Sequence, residues 1–167
     1  ANTVCEYEGL AKFQSIQNNF SLINPRFLDE LANVCRKEQV SLLPYSPIGG
    51  GVLSGKYNGD EVPRNTRFGD YLHDDNPRQK AMADRFVNDA TIAATAKYLD
   101  IARQAEMSPV TLATAWSMNF DFVASTIIGA RTAEQLEAPL AALDIKLSDE
   151  VMQQCAAVQK EILYPMG

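Results

Sequence analysis

The spacing of apolar residues changes along the chain, and each change marks a predicted element. KFQSIQ, residues 12–17, sets Phe13 and Ile16 in a short extended run and reads as a strand. NNFSLINP leads out of it, with Asn24 and Pro25 suited to be the N-cap and first residue of a helix. Phe27, Leu28, Leu31, Val34 and Cys35 follow at helical spacing. VSLLPYS, residues 40–46, is the next strand, and its internal proline implies a bulge or an irregular end. Residues 58–90 have no period and read as a long loop insertion, helical at most from about Arg78. TIAATAKYLDIARQAEM, residues 91–107, is a helix by period and propensity. Ser108 and Pro109 restart the chain as N-cap and first residue of a second helix, VTLATAWSMNF. FVASTIIG, residues 122–129, is apolar and β-branched, the pattern of a strand buried on both faces. TAEQ fits a capping box, with Thr132 as N-cap and Gln135 at the third position, opening a helix that carries Leu136, Leu140 and Leu143. Pro139 lies inside that helix, where an uncompensated proline costs about 3 kcal/mol, so a kink or early break is expected. Ser148 caps a last helix, with Val151, Cys155, Val158 and Ile162 on one face.

Strands alternating with helices imply parallel strands and an α/β fold. The 167 residues read as a single domain containing the 58–90 insertion. With three convincing strands, the chain falls short of a closed barrel, which needs eight in about 250 residues. It reads as part of something larger.

Composition narrows the classes. A hydrophobic fraction of 46% with 22% charged residues is that of a globular protein. The formal charge of −6, without a basic stripe, argues against nucleic-acid binding. No apolar run reaches the roughly 18 residues of a membrane span. ANTVCEYEGL lacks the basic-then-apolar order of a signal peptide. Cys5, Cys35 and Cys155 are odd in number and lie at no metal-ligand spacing. Cys35 and Cys155 fall on apolar helix faces, which favours buried thiols in a reducing compartment, and hence the cytoplasm.

Two strand ends carry candidate chemistry. In YSPIGGGVLSGK a strand runs into three glycines and ends on Lys56; in STIIGARTAEQL, Gly129 ends a strand and Arg131 precedes a helix start. Glycine permits close backbone approach, and a helix N-terminus with an arginine fork suits a phosphate. The plainer reading leaves Gly49–Gly51 as a tight turn and Arg131 as a solvated charge. Tyr45 at a strand end reads first as core or rim, Gln17 as a strand-end hydrogen-bonder, and His73, flanked by acids, as exposed loop. No Ser/His/Asp or Cys/His set is evident.

At these same residues the sequence resembles the aldo-keto reductase family. LLPYSPIGGGVLSGKY resembles its seventh-strand segment, IIGARTAEQL its eighth-strand and helix segment, and SIQNNFSLIN its sixth-strand segment. The branch resembled includes potassium-channel beta subunits and bacterial relatives. The resemblance runs over essentially the whole chain. It implies the C-terminal portion, about strands 6–8 with their helices, of a (β/α)8 TIM barrel that binds NADPH across the carboxyl ends of its strands. It places Gln17 on the nicotinamide amide and Tyr45 against the nicotinamide ring. Ser46, Pro47, Ile48 and Gly49 would line the pyrophosphate and ribose. Lys56 and Arg67 would meet phosphate, while Gly129, Arg131 and Gln135 would hold the 2′-phosphate and adenine.

The chain departs from the pattern in two places. Ala138 and Pro139 stand where the family usually has a Glu-Asn pair on adenine. The family's catalytic Tyr, Lys, Asp and His lie on earlier strands, and no residue here matches them. The resemblance therefore implies an NADPH-dependent reductase of aldehydes or ketones, present as a segment without catalytic residues and inactive alone. Its partners would be a small carbonyl substrate and, over the open strands, the N-terminal barrel half or another copy. The alternative is a non-catalytic cofactor-binding or channel-subunit-like interaction module.

Overall fold

The computed structural model describes residues 1–166. After a short, exposed helix α1, Asn2–Tyr7, come strand β1, Ser15–Asn19, helix α2, Leu31–Glu38, and strand β2, Ser41–Tyr45. The two strands pair in parallel, from Ser15 opposite Ser41 to Asn19 opposite Tyr45. The expected helix from Asn24 onward is divided. Asn24 caps nothing: it bridges Ser21, and its Nδ2 donates to Asn19 Oδ1 at 3.1 Å. Phe27 and Leu28 fall in a 3₁₀ turn before α2 begins.

The expected strand 122–129 is not continuous. It touches β2 at two parallel bridges, Leu42 with Val123 and Tyr45 with Ile127. Between them β2 advances three residues and the third segment four, so one residue is extra, as in a bulge. Pro44 explains the position. It has no N–H to give the third segment, and its carbonyl accepts the Ile127 N–H at 2.7 Å. The irregularity predicted from Pro44 is thus displaced onto the neighbouring segment.

The insertion is folded rather than loop. Helices α3, Arg67–His73, and α4, Pro77–Phe86, lie within it. Thr66 Oγ1 accepts the Gly69 N–H at 3.2 Å, and Asn76 Oδ1 accepts from Arg78 ahead of Pro77. Each helix buries only two residues, Phe68 and Gly69 in one and Ala83 and Phe86 in the other, too few to show as a periodic stripe. Phe68 and Phe86 stack with centroids 4.9 Å apart and tie the pair to the body.

Helix α5, Asp89–Gln104, starts in a reciprocal box: Asn88 Oδ1 accepts the Thr91 N–H, and Thr91 Oγ1 accepts the Asn88 N–H. Helix α6, Pro109–Met118, starts at Ser108 as predicted, with Oγ accepting from Thr111 at 3.1 Å. It is buried from Thr111 to Ser117, and its buried hydroxyls bond back to the helix, Thr114 to Val110 O and Ser117 to Thr114 O. Trp116 packs on Phe20 and Phe120 at centroid distances of 4.8 and 5.0 Å, at the centre of an aromatic core with Phe27 and Phe122.

Helix α7, Glu134–Leu140, differs at its start. Its N-cap is Ala133, without a side-chain cap, and the Gln135 side chain instead accepts the Arg131 N–H at 2.9 Å. Pro139 offers no N–H to the preceding turn, and the chain passes into a 3₁₀ turn at 141–144, the early break expected. Helix α8, Asp149–Glu161, is capped by Ser148 and buries Cys155 and Val158. Burial pushes the Cys155 thiol up to about 12, so it is an inert core group. All three cysteines are free, Cys5 half-buried and the other two buried. Among the described residues no helix is long and apolar enough to cross a membrane.

Candidate functional site

Parallel pairing fixes where the candidate residues lie. The carboxyl ends of β1, β2 and the third segment sit at one end of the molecule, because all three run the same way. Register and alternation then sort the faces. Ile16, Asn18, Leu42, Pro44 and Val123 share one face, and Leu42 and Pro44 are buried there. Gln17, Asn19, Leu43, Tyr45 and Ile127 share the other. That face is open: Gln17 is exposed, and Tyr45 and Ile127 are 39% and 40% exposed. Gln17 and Tyr45, about 28 residues apart in sequence, therefore face the same side of adjacent strands.

The loop after Tyr45 turns by unusual backbone. Ser46 has φ 55°, and Gly49, Gly50 and Gly51 have φ 57°, 63° and 100°. Left-handed conformation is the reason for glycine at these positions. A second reason is the body of the protein. A Cβ on Gly49 would lie 2.6 Å from Ile23 Cδ1, and one on Gly50 would lie 2.6 Å from Phe68 Cζ. The glycines thus serve a tight turn pressed on the core, the plainer of the two readings of the sequence. Ser46 O accepts the Gly49 N–H at 2.9 Å and holds the turn shut. Pro47 and Gly49 are buried, while Ser46 and Ile48 are half-buried.

Lys56 folds back on this loop. Its Nζ is the atom a Gly51 Cβ would meet, at 2.8 Å, and it lies 5.1 Å from the Tyr57 ring centroid. Tyr57 is buried, and its hydroxyl accepts the Phe68 N–H at 3.3 Å. Since Phe68 also lies beneath Gly50, Arg67 at the start of α3 is held beside the same loop, its guanidinium 5.5 Å from the Phe68 ring centroid. Lys56, Arg67 and Arg131 are exposed, and among the described residues none of them is in an ion pair.

Gly129 contrasts with the loop glycines. Its φ is ordinary and a Cβ there would meet nothing within 4 Å. Arg131 follows, with its backbone pinned by Gln135 and its guanidinium in solvent. Thr132 donates its hydroxyl to Glu134 and so holds that carboxylate below the usual range. The structure thus gathers Gln17, Tyr45, the 46–51 loop, Lys56 and Arg67 at the ends of β1 and β2, with Gly129, Arg131 and Gln135 following the third segment. His73 is apart on α3, exposed, its Nδ1 2.7 Å from Gly69 O. Among the described residues no cluster of three metal-ligating side chains forms. Sequence reading missed Tyr57 and Asn88, which hold the insertion in place; the Asn-x-x-Thr spacing of 88–91 was the available signal for the second.

Residues 2–160 match the model of the Aldo/keto reductase family. The chain is 36% identical over 159 residues to "Protein tas" of Escherichia coli (strain K12), covering 93% of this chain and 42% of that protein. It is 27% identical to the NADH-specific methylglyoxal reductase of the same organism, over 89% of this chain and 43% of the relative. It is also 31% identical to a probable voltage-gated potassium channel subunit beta of Oryza sativa subsp. japonica, over 71% and 35%. The chain spans less than half the length of these relatives.

Proposed function

This chain belongs to the aldo/keto reductase family, and from that premise we propose that it supplies the NADPH-holding portion of a carbonyl reductase, about strands 6–8 of a (β/α)8 barrel. The observation that supports the reading best is the placement of Gln17 and Tyr45 on one open face of adjacent strands, with the glycine turn after Tyr45 and, beside that turn, Lys56 and Arg67, which are in no ion pair among the described residues. On this reading Gln17 holds the nicotinamide carboxamide and Tyr45 covers the ring. Ser46, Pro47, Ile48 and Gly49 form a wall with its turn already set, so little ordering accompanies binding. Lys56 and Arg67 balance the pyrophosphate charge. Gly129 leaves open space for a ligand, since the fold itself gives no reason for a glycine there. Arg131 offers its fork to the adenosine 2′-phosphate, which is our reason for reading NADPH in a family where one relative is named NADH-specific. Gln135 steadies that loop through the Arg131 N–H. When bound, the cofactor supplies a hydride to an aldehyde or ketone.

The proton would come from a general acid outside these motifs. Tyr45 is assigned to ring contact, and His73 has one ring nitrogen bonded to Gly69 O on an exposed helix. We read the 167-residue chain as inactive alone. We read its open sheet face, with Gln17, Tyr45 and Ile127 exposed, as covered by a preceding barrel half or by a second copy. Three free cysteines are our reason for a cytoplasmic setting. The second reading, a non-catalytic cofactor-binding or channel-subunit-like module, is favoured by the likeness to a potassium channel beta subunit.

The test is NADPH oxidation with a panel of reactive aldehydes, run on this chain and on the longest protein that carries it. Turnover in the longer protein and none in the chain is the expected result. Turnover in the chain that Tyr45→Phe abolishes would contradict the assignment of Tyr45. Cofactor binding by the longer protein without turnover on any carbonyl would favour the non-catalytic module.

A further inference from the structure

The last described residues are tied to the body at three points. Tyr164 donates its hydroxyl to Asp29 Oδ2 at 2.8 Å, and the Arg26 guanidinium lies 4.6 Å from the centroid of its ring. Pro165 O accepts from Asn88 Nδ2 at 3.3 Å. The Met166 side chain is 1% exposed. Tyr164 holds φ 48°, a left-handed conformation that a bulky residue keeps only when its surroundings impose it.

Asn88 makes these ties more than local. The same Nδ2 donates to Asp84 O and Arg85 O at the end of α4, while Oδ1 caps α5 at Thr91. One amide, near the end of the 58–90 insertion, thus joins the tail to the end of α4 and to the first turn of α5. From there the contacts run inward. Phe86 stacks on Phe68, and Phe68 lies under Gly50 and adjoins Arg67. Arg26 and Asp29, at the other end of the tail, belong to the connection between β1 and α2. The tail therefore bridges the connections that follow β1 and β2, the same end of the sheet where the glycine loop lies.

We propose that Tyr164–Met166 is a latch: by holding Asn88 it keeps the insertion closed on the glycine loop, and it is released when the Tyr164 ring leaves Arg26 and Asp29. Because Arg67 lies on the insertion and Lys56 folds back on the loop, release moves the two cations apart and lowers affinity for a dinucleotide; this last step rests on the cofactor reading above. Local opening of this kind is read directly by amide hydrogen exchange.

The experiment compares Tyr164→Ala, Tyr164→Phe and the unaltered protein, without and with NADPH. Tyr164→Phe keeps the ring over Arg26 and loses only the hydroxyl bond, so it remains folded where the alanine variant is less secure. Without cofactor, exchange of the 77–91 amides should rise about five-fold in Tyr164→Ala and about two-fold in Tyr164→Phe, with the α6 amides unchanged. Increases limited to residues 26–30 and to the tail would overturn the latch. With cofactor, the NADPH dissociation constant should rise about three-fold in Tyr164→Ala. An unchanged constant beside faster 77–91 exchange would overturn the coupling to the site while leaving the cofactor reading intact. Failure of the unaltered protein to bind NADPH at all would count against the cofactor reading, and the exchange data alone would then decide the latch.

Discussion

Gly50→Ala should destabilise the protein by about 2–5 kcal/mol, the left-handed backbone and overpacking each adding to the loss. The residue has φ 63°, where an L side chain costs about 1–2 kcal/mol. Its new Cβ would also lie 2.6 and 2.7 Å from Phe68 Cζ and Cε2. Phe68 cannot yield easily. It is fully buried, stacked on Phe86, and its N–H is held by the Tyr57 hydroxyl. Overpacking of this kind adds about 1–3 kcal/mol. Gly129→Ala is the control, with ordinary φ and open space, and should change stability by less than about 0.5 kcal/mol. Urea unfolding of the two variants checks the difference. Adding Phe68→Leu to Gly50→Ala should recover part of the loss, since it makes room where the overlap occurs. Equal effects at Gly50 and Gly129 would show that the turn is not pressed on the insertion.

The long periodic elements were legible in the sequence. Helices α5, α6 and α8 and strand β2 appear near their predicted bounds, because each has an apolar pattern long enough to set its own period or a side chain that caps its start. Ser108 and Ser148 are such caps, each bonded to the N–H three residues on. Three of the features that were not legible have distinct reasons. The third strand reads as strong by composition, but its continuity depends on a partner, and Pro44 withholds the N–H that regular pairing needs. The insertion shows no period because its helices are fixed by single aromatic contacts, Phe68 on Phe86 and on Gly50. The start of α7 was misplaced because Gln135 has two acceptable partners. The capping box would send it to Thr132, whereas the fold sends it to the Arg131 N–H.

The candidate site was legible as chemistry before it was legible as geometry. The sequence names Lys56 and Arg131 as cations beside glycines, the family resemblance adds Arg67, and the structure leaves all three outside the ion pairs that occupy Arg36 and Lys97. That Gln17 and Tyr45 face one side follows only from the register of β1 on β2, which no local pattern encodes. The glycines of the loop are the reverse case. Their number suggested a ligand, while their contacts with Ile23 and Phe68 show a requirement of the fold itself.

On the cofactor reading proposed above, Lys56 and Arg131 face different phosphates of one dinucleotide. The measurement is the dissociation constant of NADPH and of NADH, by calorimetry at fixed salt, for the protein carrying this segment and for Arg131→Ala and Lys56→Ala. Arginine beside a 2′-phosphate contributes charge-assisted bonds of roughly 1.5–3 kcal/mol. Arg131→Ala should therefore weaken NADPH by about ten-fold to a hundred-fold and leave NADH nearly unchanged. Lys56→Ala should weaken both, since both carry the pyrophosphate. Fixed salt matters because Arg131 and Lys56 are exposed and their contribution is screened. A selective loss at Arg131 and a shared loss at Lys56 are the expected results; equal losses of NADPH and NADH on replacing Arg131, or no loss of either, would overturn the assignment of Arg131 to the 2′-phosphate.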